Sequence, residues 1–201
     1  MLEDALLIIL SYGLLGAGIK YIDQAYDIGV FDKGIANMIA IPSGILMAYL
    51  IIFDSTSAII FLAIILALSI TQKIDAPAFY IGTGLAIALP VLFHDVLRIE
   101  WAPFGILIFS GILDEIGNDW ADKRLNKRLV NHKSMNNNNG FLNKLGEKFF
   151  LNRFAMKLSI LVLVVFSVFS WIYLAAFLFF DFMYILVERY SFHIKIYSIS
   201  R

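Results

Sequence analysis

The sequence predicts an all-α, polytopic transmembrane helical bundle of about six spans, with an amphipathic helix on its cytoplasmic side. Of the 201 residues, 60% are hydrophobic and only 16% are charged, and the mean hydropathy is +0.80. A soluble globular domain usually carries about 25% charged residues, so this composition is that of a membrane protein. A chain of this length allows one compact bundle and no separate soluble domain of ordinary size.

Five apolar stretches approach the roughly 20 helical residues that cross about 30 Å of hydrocarbon. They cover about 5–22, 35–53, 56–72, 77–97 and 102–118. The first is expected to be retained, because the chain begins Met-Leu-Glu-Asp without the basic region of a signal peptide. A sixth stretch, about 158–187, is apolar apart from Asp181 and predicts one long or tilted helix. Its aromatic residues, Tyr173 and Tyr184 among them, are typical of a lipid-facing surface.

The basic residues predict the orientation in the cell membrane. Segment 120–157 holds nine of the sixteen Lys and Arg residues, which places it in the cytoplasm and the N-terminus outside. We therefore expect a five-span bundle over 1–119, a basic cytoplasmic loop over 120–157, and a long helix with a short tail over 158–201. Within the loop, the spacing at 141–157 predicts an amphipathic helix, either in the headgroup layer or packed on the bundle.

Two acidic clusters fall on the same predicted side of the membrane. The first runs from Lys20 through Asp23 to Asp27. The second contains Asp114, Glu115, Asn118, Asp119 and Asp122. Carboxylates four residues apart on a helix share a face and repel each other. A divalent cation, basic side chains or partial protonation must therefore neutralise them.

Carboxylate ligands favour a hard cation, Mg²⁺ first and Mn²⁺ or Ca²⁺ next. The candidate metal ligands are Asp23, Asp27, Asp114, Glu115, Asp119 and Asp122. Four of them are also candidate catalytic residues: Asp23, Asp27, Asp119 and Asp122. Bound Mg²⁺ keeps positions open for a substrate phosphate, and cationic or amide side chains can hold its remaining oxygens. These candidate substrate ligands are Lys20, Asn118, Lys123, Arg124, Lys127 and Arg128. The alternative is that the acids are solvated helix ends paired with neighbouring bases.

Two short motifs resemble those of one enzyme family. The string from Asn118 to Asn126, with Asp119 and Asp122, is similar to the first aspartate-rich motif of the UbiA superfamily of intramembrane prenyltransferases. The pair Asp23 and Asp27 is similar to the second, shorter motif. The resemblance implies that these aspartates bind Mg²⁺ and the diphosphate of a polyprenyl donor, with Asn118 supporting them. Here the motif order is reversed, the last acidic position is asparagine, and six spans are predicted where the family has about nine.

Three function classes remain open from the sequence. The first, which we favour, is a divalent-metal-dependent enzyme that acts on a phosphorylated lipid or prenyl diphosphate at the cytoplasmic face. The others are a cation-coupled transporter and a non-catalytic subunit that binds a membrane-protein partner or anionic lipid. The absence of cysteine excludes disulfides, thiolate nucleophiles and Fe–S clusters. No nucleotide-binding or hydrolase signature is present, and no nucleic-acid partner is expected.

Overall fold

The computed structural model describes residues 2–92, 99–130 and 141–199, and these form eight α-helices and no β-strand. The helices are α1 (Leu2–Asp23), α2 (Lys33–Phe53), α3 (Ser55–Ile70), α4 (Pro77–Leu92), α5 (Trp101–Val130), α6 (Phe141–Leu151), α7 (Phe154–Val165) and α8 (Trp171–Ile199). A π-helical turn at Gln24–Ile28 extends α1 and ends at Gly29, whose φ of 70° favours glycine. The all-helical prediction is confirmed for these residues.

Among the described residues, three segments are long and apolar enough to cross a membrane, as expected for a membrane protein: Glu3–Ile28, Lys33–Phe53 and Trp171–Lys195. Three shorter helices are also apolar: α3, α4 and α7. α5 joins an apolar first half to a second half that carries most of the acidic cluster and the following bases. The count of six spans and their orientation stay predictions.

The single long helix predicted over 158–187 is instead a helical hairpin. α7 ends at Val165 and α8 begins at Trp171, with Ser167 between them at a φ of 61°. The amide groups of Val168 and Phe169 donate to the carbonyl of Leu163 and close the turn. The sequence concealed this turn because it contains neither glycine nor proline and is flanked by apolar residues on both sides.

The predicted helix over 141–157 is also divided. α6 ends at Leu151, and Arg153, at a φ of 49°, separates it from α7. α6 packs on α5, where the ring of Phe150 lies against Gly117. This contact is that of a helix packed on the bundle. A location of α6 in the headgroup layer stays a prediction. The division of the chain into three regions also stays a prediction.

α1 and α8 run parallel and lie very close together. Along this pair, Lys20 lies beside Tyr184 and Gln24 accepts a hydrogen bond from Ser191. The pairs α2 with α4 and α3 with α5 are parallel as well. Two contacts along each pair show this direction: Ala40 with Gly82, Gly44 with Leu85, Ala67 with Gly111, and Lys73 with Asp119. The C-terminal ends of α1, α3, α5 and α8 therefore meet at one end of the bundle.

A large apolar core lies between the helices. Tyr12, Leu15, Phe61, Leu107 and Ile160 are fully buried in it and come from four different helices. Small residues let the helix backbones approach each other closely. Close packing matters in a membrane because lipid tails are as apolar as leucine, so that burial of apolar side chains alone does not drive helix association. The core thus fixes the helix ends on which the charged residues lie.

We expect Gly16→Ala to destabilise the protein and Gly84→Ala to leave it unchanged or stabilise it. A Cβ at Gly16 would collide with the backbone carbonyl of Phe180, whereas a Cβ at Gly84 meets nothing within 4 Å. Overpacking costs about 1–3 kcal/mol, while replacing an open helical glycine by alanine gains up to about 1 kcal/mol. Thermal unfolding in detergent measures both. Equal melting temperatures for the two variants would contradict the close packing of α1 on α8.

Candidate functional site

A buried lysine joins α1 to α8 at the end where the acidic residues lie. The Lys20 ammonium binds Asp23 at 2.7 Å and Glu188 at 2.9 Å, and its side chain is only 7% exposed. It also donates to the Tyr184 hydroxyl at 3.3 Å and lies 4.6 Å from the centre of that ring. Lys20 therefore bridges two parallel helices here, and its predicted role as a substrate ligand stays a prediction.

Asp114 caps the first turn of α7. One carboxylate oxygen accepts from the Ala155 amide at 2.9 Å and the other from the Met156 amide at 2.8 Å. The residue is 3% exposed. The first amide groups of a helix have no partner within it and carry a partial positive charge, so a carboxylate there is well stabilised. This buried acid is used to join α5 to α7.

Glu115 pairs with Arg153, which connects α6 to α7. The carboxylate and guanidinium atoms lie 3.4 Å apart, and the Glu115 side chain is 7% exposed. Partial burial alone lowers the pKa of Arg153, but Tyr184 and Glu115 raise it and the net direction is upward. The guanidinium also lies 5.8 Å from the Tyr184 ring. Arg153 therefore keeps its charge and links the second acidic cluster to the α1–α8 pair.

The other acids of the second cluster are nearer to water. Asp119 binds Lys73, which follows α3, and Asp122 accepts from the Asn118 amide at 3.3 Å. The base paired with Asp119 therefore comes from a distant part of the chain.

The bases that follow along α5 have other partners or face outwards. Arg124 lies 4.4 Å from the ring centre of Trp120 and 3.6 Å from Glu147 of α6. Lys123 and Lys127 are exposed. The side chains of Arg128 and of Asn126 in the UbiA-like motif lie outside the described part of the structure. These bases of α5, which were predicted to bind phosphate, thus lie at one end of that helix, beyond the acidic cluster.

The first cluster contains a pair of adjoining carboxyl groups. Asp27 follows Asp23 by one helical turn, and Asp75 from the α3–α4 turn adds further negative charge near Asp27. Among the described residues, no group of three or more Asp, Glu or His side chains is placed to hold a metal ion.

The two acidic clusters therefore meet at one end of the bundle but do not merge into a single carboxylate cage. Tyr184 and Arg153 connect the two clusters. Tyr184 contacts both Asp23 and Arg153, and Arg153 pairs with Glu115. We call the end of the bundle formed by Lys20, Asp23, Lys73, Glu115, Asp119, Arg153, Tyr184 and Glu188 the charged end. Basic side chains and backbone amides, rather than close acid–acid contacts, dominate its geometry.

Sequence reasoning missed the contacts that Tyr184, Glu188 and Ser191 of α8 make with α1. Asp181, Tyr184, Glu188 and Ser191 form a polar stripe at helical spacing, and each contacts a residue of another helix. Asp181 binds Lys157 of α7 at 2.8 Å. The stripe was visible in the sequence, but the aromatic residues around it suggested a lipid-facing surface. Tyr173 likewise donates to Asp54 at 2.6 Å. Tyr173 and Tyr184 therefore both bind polar groups of the protein and do not face lipid alone.

We expect Asp114→Ala to lower the stability by about 1–3 kcal/mol, because two buried amide groups of α7 lose their partner. The matched control is Asp122→Asn, an exposed acid of the same helix, which should change the stability by less than about 0.5 kcal/mol. Thermal unfolding of both purified variants is the measurement. A melting temperature of Asp114→Ala equal to that of the control would show that the cap contributes nothing.

Two variants of Arg153 separate the effect of its backbone conformation from the effect of its side chain. Arg153→Ala and Arg153→Gly both lose the ion pair with Glu115, but only glycine adopts a φ of 49° without strain. Left-handed conformations cost other residues about 1–2 kcal/mol, so Arg153→Gly should be the more stable variant by roughly that amount. Melting temperatures ranked in the opposite order would contradict this conformation.

Comparisons with protein-family models, with curated proteins and with solved structures find no match to this chain. The resemblance to the UbiA superfamily therefore depends on the motif residues alone and stays a prediction.

Proposed function

We propose that this protein is an integral membrane enzyme that binds a phosphorylated lipid or prenyl diphosphate at the charged end and acts on it as a transferase. The observation that carries the proposal is the meeting of both acidic clusters, with Lys73 and Arg153, at one end of a membrane helix bundle. Acidic and basic groups beside hydrocarbon are costly, so their concentration at one site favours a polar ligand there.

The proposed orientation places the charged end in the cytoplasm. The basic segment after Asp119 begins at this end, and loops rich in Lys and Arg stay on the cytoplasmic side. Because α1 and α8 are parallel, the described C-terminal end of α8 lies on the same side, opposite to the start of α1. Transport is less well supported, because the charged residues lie at one end of the bundle and apolar residues fill the core between its helices.

A divalent cation fits the first cluster better than the second. Mg²⁺ in proteins is commonly held by one or two carboxylates together with substrate phosphate, and Asp23 and Asp27 are such an adjoining pair. The cation would offset the repulsion between these two carboxylates and neutralise the charge that develops on a diphosphate leaving group. Lys123 and Lys127, both exposed, would hold other phosphate oxygens. Participation of Asp119 and Asp122 requires that the pair of Asp119 with Lys73 opens.

A second candidate is a non-catalytic membrane subunit. It is favoured by one observation: Asp114, Glu115 and Asp119 each already join two segments of the fold. In this case the acids stabilise the bundle, and the exposed bases at the end of α5 bind a membrane-protein partner or anionic lipid.

Calorimetric titration of the detergent-solubilised protein with Mg²⁺ and Mn²⁺, with and without inorganic diphosphate, tests the enzyme proposal. We expect saturable binding that Asp23→Asn abolishes and that Asp119→Asn weakens in the presence of diphosphate. Glu100→Gln is the control, because this exposed acid lies at the opposite end of α5. A transfer assay with prenyl diphosphates and phospholipid precursors then follows the same variants.

Two results would refute metal-dependent catalysis at this site. One is the absence of cation binding even with diphosphate present. The other is full transfer activity in Asp23→Asn together with an unchanged melting temperature. The first result would leave the non-catalytic subunit as the function, and the second would show that transfer does not depend on Asp23.

A further inference from the structure

An apolar groove runs between α5 and α7, on the side of α5 that also contacts α6. Its volume is about 710 Å³, and all its lining residues except Ser110 and Ser159 are apolar or glycine. The Ser110 hydroxyl donates to the carbonyl of Ile106 within its own helix, so it is not offered to a ligand. Gly105 lines the groove and has open space around its Cβ position. The groove therefore suits a hydrocarbon chain.

Tryptophans mark the depth of this groove in the membrane. Trp101 and Trp120 lie 19 positions apart on α5, which at 1.5 Å per residue is about 28 Å, close to the thickness of bilayer hydrocarbon. Tryptophan is enriched at the two interfaces of a bilayer. The α5 residues of the groove, from Ala102 to Leu113, lie between these two positions. In a bilayer the groove therefore lies at the depth of the hydrocarbon, where lipid chains can enter it.

Positive charge lies beyond the cytoplasmic end of the groove. Phe149 and Phe150 of α6 line that end, and Phe150 contacts Trp120 with 6.3 Å between ring centres. The Arg124 guanidinium lies 4.4 Å from the ring centre of the same tryptophan and 3.6 Å from Glu147, and Lys148, next to Phe149 in the sequence, is exposed. An apolar groove with basic side chains beyond its end is complementary to a lipid with an anionic headgroup.

We propose that the groove binds one hydrocarbon chain of an anionic, phosphate-bearing bilayer lipid, whose headgroup lies at Arg124 and Lys148. This lipid site is separate from Asp23 and Asp27, and it does not require that the protein is an enzyme. A bound lipid would fill the space between α5 and α7 and hold α6 against the bundle through both its chain and its headgroup.

Photo-crosslinking tests this site in the full-length protein in phosphatidylcholine nanodiscs. The probes are phosphatidylglycerol and phosphatidylcholine with a diazirine in one acyl chain, and mass spectrometry maps the labelled peptides. We expect phosphatidylglycerol to label 102–113 and 155–159 more strongly than the exposed face of α8. Gly105→Phe should lower this labelling by about tenfold, the effect of losing roughly 1.4 kcal/mol of binding free energy. Gly84→Phe is the matched control, since that glycine also has open space but lies on α4.

Three results would overturn the proposal. If α5 and α7 are labelled no more than α8, or if Gly105→Phe changes nothing, the groove holds only exchanging bilayer lipid. If Lys148→Glu leaves the preference for phosphatidylglycerol over phosphatidylcholine unchanged, the headgroup does not lie there. Gly105→Leu repeats the test with a smaller side chain should Gly105→Phe fail to fold. Unchanged lipid labelling in Asp23→Asn would separate this site from the proposed metal site.

Discussion

The buried ammonium of Lys20 is the constraint on which the charged end depends. It lies between two parallel helices, binds Asp23 and Glu188, and is almost completely removed from solvent. A charge in such a place costs several kcal/mol unless it is paired and hydrogen-bonded. α1 and α8 must therefore keep the register in which acid and base meet. Tyr184, on the same stripe of α8, then faces Arg153 and brings α7 and α5 into the same arrangement.

Glycine residues make this register possible. Gly13 and Gly16 let α8 approach until its Phe179 side chain and Phe180 backbone lie against α1. Since hydrocarbon surrounds a membrane bundle, close van der Waals packing and polar pairs hold its helices together more than apolar burial does. Small residues set the distance between the helices, and the ion pairs of Lys20 set their position along the axis.

Sequence reasoning predicted where the acids lie better than what they bind. Alternating spans place Asp23 and Asp119 at the same end, and the structure brings both clusters there. The partners were not predictable, because each comes from a distant part of the chain. Asp114 binds the start of α7, which requires a hairpin that no glycine or proline announces. Arg153 adopts a left-handed backbone that helical periodicity cannot indicate, since periodicity reports only which faces are apolar.

The ion pairs at the charged end differ in how easily a ligand can open them. Lys73 and Asp119 are 35% and 44% exposed, and water screens such a pair, which typically contributes about 0–1 kcal/mol. Removing one partner of a buried pair such as that of Lys20 costs roughly 3–5 kcal/mol. An anionic headgroup that reaches this end can therefore take Lys73 from Asp119 at small cost, and the carboxylate so released can accept a cation. For the phosphate ligand proposed above, exchange at Lys73 therefore costs less than exchange at Lys20.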